Sequence, residues 1–195
     1  MKFVNRILSI RSWIHTFLLK SATNVSIGKG TMVYYKAKIQ NFSKMGSVII
    51  GNNCQIGRQL KGYHAGMPFY TTLLNDGEDS NIIIGNNCRL NGSYIHAQSS
   101  IIIGDNCIIA SGVNIIDSNG HVVKSLNRTT GRDVPCPIII GNNVWIGLNA
   151  IILKGTEIGD NCVVAAGAIV KGKYESNSII HSPIAISNKI SCTGY

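Results

Sequence analysis

A short phrase rich in isoleucine recurs through most of this chain. It ends in Gly-Asn-Asn or Gly-Asp-Asn and occupies residues 48–53, 82–87, 101–106 and 138–143. From residue 140 to residue 169 the chain divides without a gap into the hexads IGNNVW, IGLNAI, ILKGTE, IGDNCV and VAAGAI. The first place of every hexad is aliphatic and the fifth place is small. Repetition at a fixed period indicates a solenoid, in which each repeat packs on the next.

A period of six residues fits neither an α-helix nor one continuous strand. It fits a short strand followed by a corner, and three such sides make a coil of about 18 residues. Glycine at the second place and asparagine at the third and fourth places supply the backbone conformations that a corner requires. Strands of successive coils pair in parallel at a spacing of about 4.8 Å. The hexads therefore predict an all-β chain folded as a triangular, parallel β-helix.

The cysteines follow the same pattern. Cys136 and Cys192 have no assigned role, and no C-x-x-C spacing indicates a zinc site. We interpret the other four as small core residues rather than ligands or disulfide partners, and reduced thiols favour a cytoplasmic location. These four stand at the fifth place of a hexad: Cys54, Cys88, Cys107 and Cys162.

Two segments break the phase of the repeat. They span residues 61–81 and 117–137, and they interrupt a single predicted domain that runs from residue 23 to residue 195 and ends in a short tail. A solenoid core does not require such excursions, so we expect functional residues in them.

Residues 1–22 form a separate segment ahead of the repeats. Apolar residues recur in it at spacings of three and four, with Lys2, Arg6, Arg11 and Lys20 at the flanks, which predicts an amphipathic helix. Its apolar run is too short to span a membrane. Two interpretations stay open: the helix caps one end of the core, or residues 1–20 lie on an anionic membrane surface.

The net charge of +9 favours an anionic partner. Among such partners nucleic acid is the weakest candidate, because the chain has no long Lys/Arg block and no zinc-knuckle, RNP or KH signature. A membrane surface or a phosphate-bearing cofactor fits better, and we expect no nucleic-acid partner.

Three motifs resemble those of a known family. They are IDSNGH at 116–121, PIIIGNNVWIG at 137–147 and AAGA at 165–168. With the hexads, they make residues 25–190 resemble the hexapeptide-repeat acyltransferases, and most of all the acetyl-CoA-dependent O-acetyltransferases that modify sugars of capsular polysaccharide, lipopolysaccharide or exopolysaccharide. The resemblance implies a left-handed β-helix, acetyl-CoA as acyl donor, and a homotrimer with each active site between two subunits.

His121 is the candidate catalytic base. Transfer of an acyl group from a thioester to a hydroxyl needs a base for the hydroxyl proton and an acid for the leaving thiolate, and one imidazole can serve as both. Of the five histidines, only His121 lies in an excursion that regular coils follow at once. Asp117 or Asn119 would orient its ring, and the resemblance slightly favours Asp117, although a loop carboxylate equally well caps a turn.

The donor site is predicted in the later coils. Trp145 stands at the outward-facing sixth place of a hexad, where the resemblance puts the acyl-donor channel, although burial against a neighbouring subunit also explains it. Relatives end their repeats with G-x-P-A-[KR], whereas this chain has HSPIA at 181–185. The remaining predicted donor contacts are Gly147, Ala165, Ala166 and Gly167, which expose backbone, and Lys154, Lys171 and Lys173, which supply positive charge.

For the acceptor, Tyr63 and Tyr70 offer rings that stack on a sugar, and Arg128 and Arg132 offer charges for an acidic glycan. N-acetylation of an amino sugar is the alternative enzymatic function. A non-catalytic β-helix scaffold is the alternative outside enzymes, although regular threonine ladders without excursions are typical of such scaffolds. We expect no metal, because the histidines lack the spacing of a zinc-binding carbonic anhydrase solenoid.

Overall fold

The structure is a computed structural model that describes residues 2–58 and 65–182, with side chains from residue 9 onward. These ranges contain one helix and twenty short strands. Their bounds are α1 Lys2–Lys20, β1 Val25–Ile27, β2 Met32–Val33, β3 Lys38–Asn41, β4 Val48–Ile50, β5 Gln55–Ile56, β6 Thr72–Asn75, β7 Asn81–Ile84, β8 Arg89–Leu90, β9 Tyr94–Ala97, β10 Ser100–Ile103, β11 Ile108–Ile109, β12 Asn114–Ile116, β13 Ile138–Ile140, β14 Trp145–Ile146, β15 Ile151–Leu153, β16 Glu157–Ile158, β17 Val163–Val164, β18 Ile169–Val170, β19 Lys173–Tyr174 and β20 Ile179–Ile180.

Every third strand belongs to the same sheet. Sheet A runs β1-β4-β7-β10-β13-β16-β19, sheet B runs β2-β5-β8-β11-β14-β17-β20, and sheet C runs β3-β6-β9-β12-β15-β18. All neighbouring strands are parallel. Each trio of strands is one coil, so that β1–β3 form coil 1, β16–β18 form coil 6, and β19 and β20 are two sides of coil 7. The predicted three-sided parallel β-helix is confirmed.

The places of the hexad have the predicted roles. First-place residues such as Ile146 and Ile152 are fully buried, and so are fifth-place residues such as Ala150. The asparagine at the fourth place has a left-handed backbone, with φ of 53° at Asn143 and 56° at Asn161. Asparagine tolerates this conformation better than most residues, so the repeated Gly-Asn-Asn directs the chain around one corner of every coil.

The four fifth-place cysteines are buried in the core, as predicted. Their thiols stack along one corner, and each donates to a carbonyl of the next coil: Cys54 Sγ to Gly85 O at 3.1 Å, Cys88 Sγ to Gly104 O at 3.1 Å, Cys107 Sγ to Gly141 O at 3.2 Å, and Cys162 Sγ to Glu175 O at 3.2 Å. Cysteine is therefore used here as a small residue that also satisfies a buried carbonyl. Cys136 is exposed, and Cys192 lies outside the described residues.

One predicted excursion is confirmed and the other has a wrong boundary. Residues 117–137 contain no strand and join β12 to β13. The segment 61–81, in contrast, includes β6 and the start of β7, and Leu73 of β6 is fully buried between Ile39 and Ile95. The interrupting loop joins β5 to β6 instead and spans residues 57–71, of which 59–64 lie outside the described residues.

The hexad pattern missed β6 because its following corner uses different residues. No Gly-Asn pair closes this corner. Instead the Ser80 hydroxyl accepts the Gly77 N–H at 2.9 Å, and the Asn75 amide donates to Ser80 O at 2.7 Å. At this corner, side-chain hydrogen bonds stabilise the turn that a left-handed asparagine forms at other corners.

Helix α1 covers the free end of coil 1. The Thr16 hydroxyl lies 3.0 Å from both the N–H and the carbonyl oxygen of Val33, the groups with which a preceding coil would pair. Ser12 Oγ accepts the Tyr35 N–H at 3.0 Å, and His15 Nε2 lies 2.9 Å from Ala37 O. The cap blocks pairing of this sheet edge with another chain. Among the described residues, no helix combines the length and hydropathy needed to cross a membrane.

Candidate functional site

An apolar groove runs along the outer surface of sheet B. Trp145 of β14 pairs in register with Ile108 of β11 and Val163 of β17, so these three outward side chains form one column. The Trp145 side chain is 54% exposed, and the predicted outward orientation is confirmed. Because an indole and two aliphatic groups line up on adjacent coils, they make a continuous apolar wall.

The other side of the groove consists of nearly bare backbone. Gly147 and the turn at Ala165 and Ala166 line it, with Leu148 at one end, and the space encloses about 380 Å³. Gly167 follows with φ of 71°, a conformation that favours glycine. The groove thus contains four of the predicted donor contacts. Its small residues leave backbone accessible to an elongated apolar ligand that carries amide groups.

Two of the predicted donor lysines are held in ion pairs away from the groove. Lys154 Nζ bonds the Asp133 carboxylate and also donates to Val134 O at 2.8 Å. The Lys154 hydrogen bond lowers the pKa of Asp133. Lys173 Nζ lies 2.8 Å from Glu157 Oε1 on sheet A. Lys171 is exposed and follows β18. The ammonium of Lys154 fastens residues 133 and 134 to coil 5 and does not line the groove, so its contact with the donor stays a prediction.

A polar cavity lies at the edge where sheet C turns into sheet A. It encloses about 460 Å³ and brings His121 together with Arg132 of the same loop. His96 Nε2 lies 2.8 Å from Asp76 Oδ1, and Arg132 Nη1 lies 3.8 Å from Asp76 Oδ2. The carboxylate of Asp76 thus joins an imidazole and a guanidinium beside the exposed imidazole of His121. The lining is completed by Gln98, Gly120, Thr129 and Gly131.

Neither predicted orienting residue contacts the His121 ring. Asp117 is fully buried, and its two oxygens accept the N–H groups of Gln98 at 2.8 Å and Ser99 at 2.7 Å. Burial raises the pKa of Asp117, while these two N–H groups oppose the shift. Asn119 uses its backbone N–H to bond Asp133 Oδ2 at 3.0 Å. The orienting role of Asp117 is therefore corrected: its carboxylate closes a turn, which anchors the start of the loop.

The predicted acceptor residues are divided between the two edges of sheet C. Arg132 lines the cavity, and Arg128 is exposed on the same loop. Tyr70 lies at the other edge, where its hydroxyl accepts a hydrogen bond from Lys36 Nζ at 2.9 Å. That bond raises the pKa of Lys36. Tyr63 lies outside the described residues.

The groove and the cavity lie on opposite edges of sheet C. Leu148 and Ala166 come just before β15 and β18, whereas Asp76 and Gln98 come just after β6 and β9. The strands between them have two to four residues, which at about 3.3 Å per residue separates the two edges by roughly 10 Å. The groove and His121 of one chain therefore lie in separate cavities, about one strand length apart.

The sequence interpretation missed several lining residues. Ile108 and Val163 were detectable, because they share the sixth hexad place with Trp145. Asp76 and Gln98 were not, because both stand just beyond strands with irregular corners. His96 also lines the cavity, and no motif marks it. Its side chain projects outward in β9, as its place between the buried Ile95 and Ala97 requires.

The repeats match a known protein family. The family described as "Hexapeptide repeat of succinyl-transferase" matches residues 81–116 and 137–171. Galactoside O-acetyltransferase of Escherichia coli (strain K12) is 45% identical over 72 residues, which are 37% of this chain and 35% of that protein. The putative lipopolysaccharide biosynthesis O-acetyltransferase WbbJ of the same strain is 32% identical over 97 residues, 45% of this chain and 50% of that protein. The chain thus spans half or less of the length of these curated relatives.

A solved structure supports the handedness of the solenoid. The hexapeptide-repeat acetyltransferase VCA0836 from Vibrio cholerae superposes with a TM-score of 0.56 at 19% sequence identity, covering 88% of this chain and 76% of that chain. Together with the three parallel sheets, this likeness confirms the expected left-handed parallel β-helix.

Proposed function

We propose that this chain is a hexapeptide-repeat acetyltransferase that transfers an acetyl group from acetyl-coenzyme A to a sugar hydroxyl. One observation carries the proposal: every residue that lines the apolar groove falls within the two segments that match the family. Two relatives, similar to this chain over 72 and 97 residues, carry the names of O-acetyltransferases.

The groove suits the donor. The pantetheine arm of coenzyme A is long and flexible, with two amides and a terminal thioester. The backbone at Gly147 and Ala166 is accessible to those amides, and the Trp145 ring offers an apolar wall beside the thioester. At the far end of the repeats, the Ser182 hydroxyl accepts the Ile169 N–H at 3.2 Å. Residues 183–185, where the chain departs from the family ending, lie outside the described residues.

His121 is proposed as the base. The imidazole takes the proton of the acceptor hydroxyl as its oxygen attacks the thioester carbonyl carbon, which gives a tetrahedral oxyanion. Collapse of this intermediate breaks the carbon–sulfur bond, and the imidazolium returns the proton to the coenzyme A thiolate. A backbone N–H group of the groove is proposed to stabilise the oxyanion. No metal participates in this proposal.

The acceptor is proposed to bind in the polar cavity as a sugar of a capsular, lipopolysaccharide or exopolysaccharide glycan or of its precursor. Asp76 and His96 present hydrogen-bonding groups to hydroxyls, and Arg132 presents a charge to an acidic substituent. Arg128, on the same loop, is placed to extend that contact. Tyr70 lies at the groove edge and is proposed to contact an acceptor held by a neighbouring subunit.

The separation of groove and cavity supports a shared site. We propose a homotrimer in which the His121 loop of one subunit meets the groove of the next, because the two halves lie on different edges of each prism. A three-fold assembly of prisms brings unlike edges together at every interface.

Two measurements test the function. Acetyl-coenzyme A is incubated with neutral sugars, acidic sugars and amino sugars, and products heavier by one acetyl group are detected by mass spectrometry. Alkali-labile products indicate O-acetylation, alkali-stable products indicate N-acetylation of an amino sugar, and the absence of any product contradicts the enzymatic proposal.

The second measurement tests the shared site. Inactive His121→Ala and Ala166→Trp chains are mixed, unfolded and refolded together. If each site takes His121 from one subunit and the groove from another, random assortment restores roughly a quarter of the sites. A mixture that stays inactive, although each variant alone forms trimers, contradicts the shared site and leaves the acetyl-transfer test unaffected.

A further inference from the structure

Among the described side chains of helix α1, five of the six large apolar ones face solvent. The face that docks on coil 1 carries Ser12, Thr16 and the half-buried His15 and Leu19. Amphipathic helices of globular proteins ordinarily pack their apolar face on the core and expose their polar face. The opposite face, which we call the apolar stripe, consists of Ile10 (54% exposed), Trp13 (62%), Ile14 (47%), Phe17 (59%) and Leu18 (62%).

The apolar stripe is continuous and ordered. Its members recur at spacings of three and four along one helix face, and the Trp13 and Phe17 rings stack with centroids 6.0 Å apart. Two aromatic and three aliphatic side chains on one helix make a patch that water does not stabilise, so it requires a partner.

The position of α1 fixes where the apolar stripe points. Ser12 and Thr16 bond the outer backbone edge of coil 1, so the helix lies across the end of the solenoid. The opposite face therefore points outward along the solenoid axis. In the proposed trimer, whose prisms run side by side, three apolar stripes would lie in one plane at the same end.

The positive charge at the α1 end of the solenoid indicates an anionic partner. The first acidic residue of the chain is Asp76, so residues 1–75 hold ten of the 18 lysines and arginines and none of the nine acidic residues. Coil 1 adds the exposed Lys29, Lys36 and Lys38 to the exposed Arg11 and Lys20 of α1. The remainder of the chain is nearly neutral, so the positive charge is concentrated at the end that α1 covers.

We propose that this end docks on an anionic lipid bilayer, with the apolar stripe in the interface and the surrounding lysines and arginines at the lipid headgroups. Apolar insertion combined with electrostatic attraction is how amphipathic helices bind membrane surfaces. A second copy of the chain is a poorer occupant, because two such ends would repel each other. Docking holds the solenoid upright on the bilayer, where a lipid-linked sugar would be within reach of the coils above.

Vesicle sedimentation of the full chain tests the proposal. The probes are vesicles of phosphatidylcholine alone and of phosphatidylcholine with about one third phosphatidylglycerol. We expect binding to the anionic vesicles that weakens as salt rises, and little binding to the neutral ones. A chain that stays in the supernatant with both vesicles overturns the proposal.

Matched variants assign the binding to the apolar stripe. Trp13→Ser/Phe17→Ser should weaken vesicle binding roughly 100-fold or more, since burial of each ring strengthens binding by about one to two powers of ten. Leu126→Ser/Ile179→Ser removes two exposed apolar side chains far from α1 and should bind as the unmodified chain does. Equal binding by both variants contradicts the assignment.

Two further measurements distinguish membrane docking from association between copies of the chain. In a Trp145→Phe background, Trp13 fluorescence should shift to shorter wavelength when anionic vesicles are added. The other outcome is that Trp13→Ser/Phe17→Ser lowers the mass of the assembly in light scattering and that the unmodified chain does not bind vesicles. The apolar stripe would then be an interface between copies, and the proposal fails. Acetyl transfer to a small soluble acceptor, measured in parallel, should be unchanged in Trp13→Ser/Phe17→Ser, so the two proposals fail independently.

Discussion

The apolar groove and the polar cavity are built in different ways. The groove consists of strand and corner residues from uninterrupted coils, and all of its lining lies in the segments that match the family. The cavity takes His121, Arg132 and three other lining residues from the 117–137 loop, which the family match leaves out. Under the proposed function, a donor common to many enzymes would bind to the repeated scaffold, and an acceptor particular to one enzyme would bind at the inserted loop.

The largest effect is expected from His121→Ala, which tests whether the cavity holds the chemistry. Loss of a positioned general base should lower the acetyl-transfer rate by roughly 10²- to 10⁴-fold. Donor affinity should change little, because the groove lies on the other edge of sheet C. Steady-state kinetics and donor-binding calorimetry measure the two quantities.

Lys124→Ala is the matched control for this substitution, since Lys124 is exposed on the same loop. Its rate should stay within about twofold of that of the unmodified enzyme. Near-normal turnover of His121→Ala would move the base to another group of the cavity, and His96→Asn would then be the next variant to measure.

The complementary substitution is Trp145→Ala, which should weaken donor binding about 10- to 100-fold and also slow turnover. Removing the ring takes away most of one wall of the groove, and burial of an aromatic side chain contributes about 2 to 3 kcal/mol. Ile49→Ala, an exposed apolar residue on sheet A, is the control and should bind the donor normally. If Trp145→Ala changes turnover alone, the indole is not a donor contact.

The contrast between the groove and the cavity also explains which features of the molecule the sequence predicts. A hexad column repeats its environment in every coil, so burial of Cys107 and exposure of Trp145 follow from their places alone. The pairing of Ile108 with Trp145 follows as well. Periodicity carries this information because each coil constrains the next.

The cavity has no such periodicity. The contact between Asp76 and His96 joins residues 20 positions apart through an irregular corner, and no motif marks it. Asp117 illustrates the difficulty further: its spacing from His121 indicated a role at the ring, but its carboxylate bonds Gln98 and Ser99 instead. A loop carboxylate satisfies whichever donors the tertiary fold brings near, and local sequence does not specify them.

An intermediate effect is expected where the loop joins the scaffold. Lys154→Met removes the cation that holds Asp133, and the two side chains are only 21% and 13% exposed. Leaving that carboxylate half-buried without its partner should loosen the loop, speed tryptic cleavage at Lys124, Arg128 or Arg132 several-fold, and lower the transfer rate by up to about tenfold.

A surface ion pair supplies the control for the loop variant. Lys173→Met breaks the pair with Glu157, whose side chains are 76% and 45% exposed, and such pairs contribute little to stability. Its cleavage pattern should match that of the unmodified chain. Equal protease sensitivity of both variants would mean that Lys154 does not anchor the loop.

The smallest effect on activity is expected in the thiol stack, whose side chains are buried in the core and line neither the groove nor the cavity. Cys88→Ala/Cys107→Ala should keep the transfer rate within a few-fold while lowering the free energy of unfolding by roughly 1 to 2 kcal/mol per site, because each substitution leaves a small cavity and an unpaired carbonyl.

Hydrogen bonds with Cys107 and Cys54, together with burial, raise the pKa of Cys88. Since the thiolate is the reactive form, iodoacetamide should modify exposed Cys136 in the native protein and leave Cys88 intact. Rapid labelling of Cys88 under native conditions would show that the stack opens, which would contradict a rigid scaffold of uninterrupted coils.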